Sequence, residues 1–240
     1  MEIDKETCIA CMQCLDYCPM GCIYEQEGEV FIDQDECVEC SACLNAAICP
    51  TDSLYLPEET KEYPRWLRAA FSNPAEQFPI AKQGGRGTEE MKTNDVTGKI
   101  KLGDLGMTLE FGRPGTGTRL GEVEKVTSVI CPFGVHLDQA NPVTTLLEDL
   151  QTGKMKSEIK EEKVLSCILE FSFHQDKLEE VVDRVQMVLK DVRTVVSWGV
   201  ITRFDKDWSL MFQDRLEQKG FNIRPNAKIN VGLGRPLVAD

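Results

Sequence analysis

Cys8-Ile9-Ala10-Cys11-Met12-Gln13-Cys14-Leu15-Asp16-Tyr17-Cys18-Pro19 sets four cysteines at C-x2-C-x2-C-x3-C spacing and ends on a proline. A second run, Cys37, Cys40, Cys43 and Cys49 followed by Pro50, repeats the first three positions and stretches the last gap to five residues. Three thiols at such short intervals sit on one tight loop, where they can wrap three corners of a cubane iron–sulfur cluster; the fourth corner must come from elsewhere in the chain. The spacing therefore predicts a metal-dependent fold rather than one built on a large apolar core.

The duplication extends beyond the cysteines. Ile3-Asp4-Lys5-Glu6-Thr7-Cys8 is echoed by Ile32-Asp33-Gln34-Asp35-Glu36-Cys37, and Cys18-Pro19-Met20-Gly21-Cys22-Ile23-Tyr24 by Cys49-Pro50-Thr51-Asp52-Ser53-Leu54-Tyr55. Two related halves imply a pseudo-twofold unit. With these motifs, the first sixty residues resemble the bacterial-type ferredoxin family with two [4Fe-4S] clusters. The resemblance implies low-potential one-electron transfer and a crossed ligand set. Cys8, Cys11, Cys14 and Cys49 would hold the first cluster, and Cys37, Cys40, Cys43 and Cys18 the second. The departure is the Leu44–Ile48 gap, two residues longer than its counterpart, which is expected to reshape the loop beside Cys43.

Structural zinc also uses C-x2-C pairs, but paired triplets with trailing Cys-Pro fit it poorly. Disulfides fit less well still, because the polar, charged residues before Cys8 carry no secretory leader and predict a reducing, cytoplasmic setting. Cys22 stands opposite Ser53 in the repeat and reads as a small buried neighbour of the cluster rather than a ninth ligand.

The chain has 240 residues, eleven cysteines, two histidines and a net charge of -13. Residues 1–60 hold fourteen acidic residues against one basic residue, Lys5, so the whole excess lies on the cysteine-rich segment and residues 61–240 balance to zero. Such a surface repels nucleic acid and steers a redox partner protein with a basic docking patch. No stretch has the ~18 consecutive apolar residues that membrane insertion needs.

Glu62–Phe71 carries Trp66, Leu67, Ala70 and Phe71 near helical spacing. Ser72–Leu105, with Pro74, Pro79, Gly84-Gly85, Gly87, Gly98 and Gly103, reads as a linker. Met107–Phe111 alternates as a strand, and Gly112–Thr118 forms a turn in which Thr118 is a plausible cap for a helix over Arg119–Ile130. A short strand over Phe133–Leu137 is followed by a helix opened by Asn141-Pro142 and running through Leu146, Leu147 and Leu150. Val164–Phe173 predicts a strand, Asp176–Val192 an amphipathic helix with Met187 in its core stripe, and Thr194–Phe204 a strand. Trp208–Lys219 predicts a helix stopped at Gly220, and Lys228–Leu233 a terminal strand. The fold class is thus α+β. A two-cluster module spans 1–60, a helix and Gly/Pro linker 61–105, and an α/β sandwich of the split-βαβ (ferredoxin-like) type 106–240.

Little else carries chemistry. The turn at Gly115-Thr116-Gly117, with Arg113 and Arg119 nearby, invites an anion, but Leu120 stands where G-x-G-x-x-G needs its last glycine. His136 and His174 lack ligand-spaced partners; Cys131 and Cys167 have no C-x2-C companion. An independent enzyme is therefore the least supported reading. Three others remain: a one-electron carrier whose C-terminal domain serves docking or homo-oligomer formation, an iron–sulfur subunit or accessory factor of a larger oxidoreductase, and a ligand-sensing regulator with redox clusters.

Overall fold

The computed structural model describes residues 1–78, 83–84, 99–113, 115–204, 207, 209–210 and 212–223. The expected terminal strand at 228–233, most of the 72–105 connection and Trp208 at the start of the last expected helix lie outside these residues.

The duplicated segment folds as two matching halves. Strand β1 (Glu2–Ile3) pairs antiparallel with β4 (Leu54–Tyr55), while β2 (Ile23–Gln26) and β3 (Glu29–Ile32) form a hairpin. The repeat reaches individual hydrogen bonds. The Cys8 and Cys37 amides donate to the carbonyls of Asp4 (3.0 Å) and Asp33 (2.9 Å), and the Asp4 and Asp33 amides to those of Ser53 (2.8 Å) and Cys22 (2.8 Å). A small apolar core of Met1, Ile23, Val30 and Leu54 lies between the halves.

The longer second gap is absorbed locally. The first run turns through a 3-10 helix at Leu15–Tyr17; the second makes one α-helical turn, α1 (Ala42–Asn45). The two extra residues are accommodated by this wider turn and by a left-handed Ala47 (φ 51°) that brings the chain back to Cys49.

The second half of the chain is built on a four-stranded antiparallel sheet. After α2 (Trp66–Ser72) and the pair β5 (Gln77–Phe78) and β6 (Gln83–Gly84) come β7 (Asp104–Phe111), β8 (Thr118–Arg119), α3 (Leu120–Ile130), β9 (His136–Leu137) and α4 (Pro142–Thr145). Then follow β10 (Leu147–Asp149), β11 (Lys154–Met155), β12 (Lys163–Val164), β13 (Cys167–His174), α5 (Leu178–Val188), β14 (Val196–Ile201) and α6 (Gln213–Gln218). The sheet order is β14-β7-β13-β9. Strands β7 and β9 therefore run parallel with β13 between them, and β13 and β14 run parallel with β7 between them. Alternation gives the sheet one apolar face: Cys167, Leu169, Phe171 and Phe173 stand opposite Phe111, Leu109, Met107 and Leu105. Onto that face pack Leu120, Val123, Val126 and Ile130 of α3, and Leu178, Val181, Val182 and Val185 of α5.

Four expectations are corrected. Thr118 is not a helix cap: it is a strand residue paired with Val164, and Arg119 occupies the cap position. Pro142 opens only one helical turn; Leu147–Met155 is a β10–β11 hairpin whose turn is fixed by the Asp149 carboxylate, which accepts from the Gln151 amide (2.8 Å) and the Thr152 hydroxyl (2.8 Å). Gly153, at φ 68°, closes that turn against the Thr127 backbone, where a Cβ would overlap the carbonyl. Val164–Phe173 is two strands, because Val164 pairs with β8 and Cys167 onward with β7. Met187 is 69% exposed, since the helical repeat places it opposite Val181, Val182 and Val185. Among the described residues no helix is long and apolar enough to cross a membrane.

Candidate metal centre

Each cysteine run coils because residues flanking its middle cysteine are left-handed. Ala10 (φ 53°) and Met12 (φ 61°) bracket Cys11, and Glu39 (φ 53°) and Ser41 (φ 57°) bracket Cys40. Non-glycine residues adopt this conformation at a cost of about 1 kcal/mol or more each and keep it only where surrounding contacts demand it. Its recurrence at equivalent positions shows that loop shape, not side-chain identity, is the repeated element.

The loops bring the cysteines together in crossed sets. Cys8, Cys11, Cys14 and Cys49 border one cavity, walled by Ile3, Val30 and Leu54. Cys18, Cys37, Cys40 and Cys43 border another, walled by Met1, Ile23 and Val38, with Cys22 beside them. Among the described residues no His, Cys, Asp or Glu group is gathered for a single metal ion. The fourth cysteine of each run is held by its own half: Cys18 Sγ accepts from the Cys22 amide at 3.4 Å, and Cys49 Sγ from the Ser53 amide at 3.3 Å. Amide donors aimed at sulfur stabilise thiolate. The donor set, the apolar walls and these amides fit an iron–sulfur cluster, whose ligands must be deprotonated and whose potential depends on hydrogen bonds to sulfur.

Cys22 belongs to the second cavity without resembling a ligand. Its Sγ lies 3.4 Å from that of Cys18. Sharing its thiol proton with Cys18 and Cys37 pushes its own pKa up and holds theirs down. Burial pushes Cys14 and Cys40 up, and Cys43 to about 12. Burial also acts upward on Cys49, but the Thr51 and Ser53 amides outweigh it and the thiol is held down. Cys131 and Cys167 lie buried in the other core, and burial raises their thiols to about 11 and 12, as for inert packing residues.

Sequence reasoning missed the residues that join this segment to the sheet. Arg68, 6% exposed on α2, donates from Nη1 to the carbonyls of Gln34 (2.6 Å) and Cys37 (2.8 Å), and its Nε pairs with Glu162 beside β12. Arg65 donates to Glu39 (2.6 and 3.0 Å) and Gln34 (2.7 Å); the buried Glu39 also meets the Met1 ammonium. Lys163 and Arg119 pair with Glu36. Gly117 (φ 67°) approaches Met20 so closely that a Cβ would sit 2.7 Å from its Cε. All these contacts fall around the second cavity. The first keeps Cys11 at the surface, with Ile9 63% and Met12 43% exposed.

The glycine-rich turn does not present an open helix start. The Leu120 and Gly121 amides donate to the Glu162 (3.0 Å) and Lys160 (2.8 Å) carbonyls, and Arg119 is committed to Glu161 and Glu36. His136 and His174 are exposed, and His174 pairs with Asp176 at 3.1 Å.

A family model described as a 4Fe-4S binding domain matches residues 1–24. "Ferredoxin 7Fe" of Hydrogenibacillus schlegelii is 43% identical over 54 residues, 21% of this chain and 67% of that protein. The chain belongs to the ferredoxin family. Ferredoxins of Streptomyces griseus (41% identical over 54 residues, 21% of this chain and half of that protein) and Alicyclobacillus acidocaldarius (34% over 64 residues, 25% and 80%) are also similar. The likeness to ferredoxins lies in the N-terminal segment. No solved structure matches the chain. Iron–sulfur electron transfer is thus the chemistry of the ferredoxin segment.

Proposed function

We propose that this ferredoxin carries single electrons at low potential on two [4Fe-4S] clusters. Cys8, Cys11, Cys14 and Cys49 hold the first, and Cys37, Cys40, Cys43 and Cys18 the second. One observation carries this reading: the last cysteine of each run lies in the cavity formed by the other run. When bound, such clusters supply reversible one-electron chemistry. The chain's own residues tune it. The Cys22 and Ser53 amides favour negative charge at sulfur, apolar walls exclude water, and the segment's excess of carboxylates lowers the potential. Anaerobic iron and sulfide analysis with EPR during reductive titration tests the count. Eight irons and two interacting S = 1/2 signals are expected; four irons would defeat the reading.

The C-terminal domain reads as a split-βαβ sandwich, a choice supported by the β14-β7-β13-β9 order and the two parallel pairs each separated by one strand. Its roles here are to cover the second centre and to offer docking or homo-oligomer surfaces. A redox partner with a basic patch would meet the first centre, where Ile9, Cys11 and Met12 are exposed within the acidic segment. Electron transfer to a basic haem protein should slow at least tenfold between 10 and 150 mM salt, as the Debye length shrinks from about 30 to about 8 Å. It should slow again in Ile9→Lys, which removes the apolar contact and sets a positive charge before the basic patch. Rates indifferent to both changes would place docking elsewhere.

A further inference from the structure

Cys40 borders two spaces. Beyond the second cavity it opens on a cleft of about 710 Å³ between the Cys40 loop and the sheet domain. The cleft has apolar surface from Ala42 and Leu165, polar groups from Asn45 and Ser166, and one charged side chain among its described lining residues, Arg113. The Arg113 guanidinium is held at the cleft wall: Nη1 donates to Glu110 at 3.2 Å and Nε to the Ser166 hydroxyl at 3.3 Å. A planar guanidinium oriented in this way suits a carboxylate or phosphate. A cation on this wall is notable beside a segment that holds fourteen acidic residues against one basic.

The position limits what a ligand can do there. A molecule lying against Ala42 and Leu165 is beside Cys40, and a conjugated ring can take or return one electron there without breaking a bond. We propose that this cleft binds a planar, anionic redox molecule that exchanges single electrons with the second centre across Cys40, an inference that rests on the two-cluster reading above. In each transfer the centre loses one electron and the ring gains it, or the reverse; no atom moves between them. The protein then has two terminals, a protein-facing one at Cys11 and a small-molecule one at Cys40.

FMN, with a flat ring system and one phosphate, is the probe. Anaerobically purified full-length protein is titrated into FMN and flavin fluorescence is followed, with iron and sulfide measured on the same sample. Saturable quenching is expected, weakened at least tenfold by Arg113→Gln and by Asn45→Trp, which fills the mouth from an exposed position, while iron content stays unchanged in both variants and the melting temperature stays unchanged in Asn45→Trp. No saturable quenching by the wild type, or wild-type binding in both variants, overturns the proposal. Low iron with variant-sensitive FMN binding supports the cleft and counts against the two-cluster reading alone.

Discussion

Replacing Arg68 with methionine keeps most of the side-chain length on α2 and removes the charge. The guanidinium donates to the Gln34 and Cys37 carbonyls and pairs with Glu162, whose side chain is 13% exposed. Hydrogen bonds from a charged donor contribute about 1.5–3 kcal/mol each, but they are not additive when one group makes them all. Removing one partner of a largely buried ion pair costs about 3–5 kcal/mol, and that is the expected loss. At about 2–4 °C per kcal/mol for a chain of this size, the unfolding midpoint falls by about 6–20 °C. The assay is anaerobic heating of the holoprotein, with iron–sulfur absorbance followed beside tryptophan fluorescence. Cys37 lies in the second cavity, so under the proposed two-cluster reading half of the absorbance should bleach early. EPR of the partly heated sample should lose the coupling between centres while one signal remains. A midpoint within 2 °C of wild type, or simultaneous bleaching of all the absorbance, would refute the view that Arg68 fastens the second centre to the sheet domain.

Cys22→Ser should keep the iron content of the wild type, because the twin position is Ser53 and the amide to Cys18 is unaltered; halved iron would make Cys22 a ligand. Arg215 holds the Glu179 carboxyl at about 2, against an ordinary 4.5. The folded pKa is the lower one, so this stabilisation is complete above about pH 4.5 and is lost as the pH falls toward 2. For so exposed a pair it amounts to no more than about 1 kcal/mol. Hydrogen exchange of residues 213–218 in Arg215→Gln should quicken at pH 6; equal rates at pH 6 would remove the pair from the account. Gly153→Ala forces a Cβ onto the Thr127 carbonyl at positive φ and should cost at least about 2 kcal/mol in denaturant melts, more than Gly220→Ala, which carries positive-φ strain of about 1 kcal/mol but whose Cβ meets nothing.

The cysteine loops were legible because their chemistry is local: spacing alone brings three thiols together, and the repeat supplies the twofold. The sheet strands and α5 were legible for a similar reason, since alternation at Cys167–His174 and the stripe at Leu178–Val185 are signals within one element. Leu146–Leu150 misled because a leucine-rich run suits a helix or a buried strand equally; the deciding cue was the Asp149–Thr152 turn before Gly153. Thr118 misled because its partner, Val164, lies far along the chain. Arg68 went unremarked for the same cause: its partners are 31 to 94 residues away, and nothing in the helix around it announces them.

A doubled segment, taken alone, has no front or back: rotating it by half a turn exchanges one site for the other. Here, among the described residues, α2 and the β8–β12 pair press around one of the two sites, through Arg65, Arg68, Arg119 and Lys163. That one-sided contact gives two sites of common ancestry unlike surroundings, one wet and one sheltered. A traveller crossing between them would meet an energy step that the duplicated loops by themselves would not create.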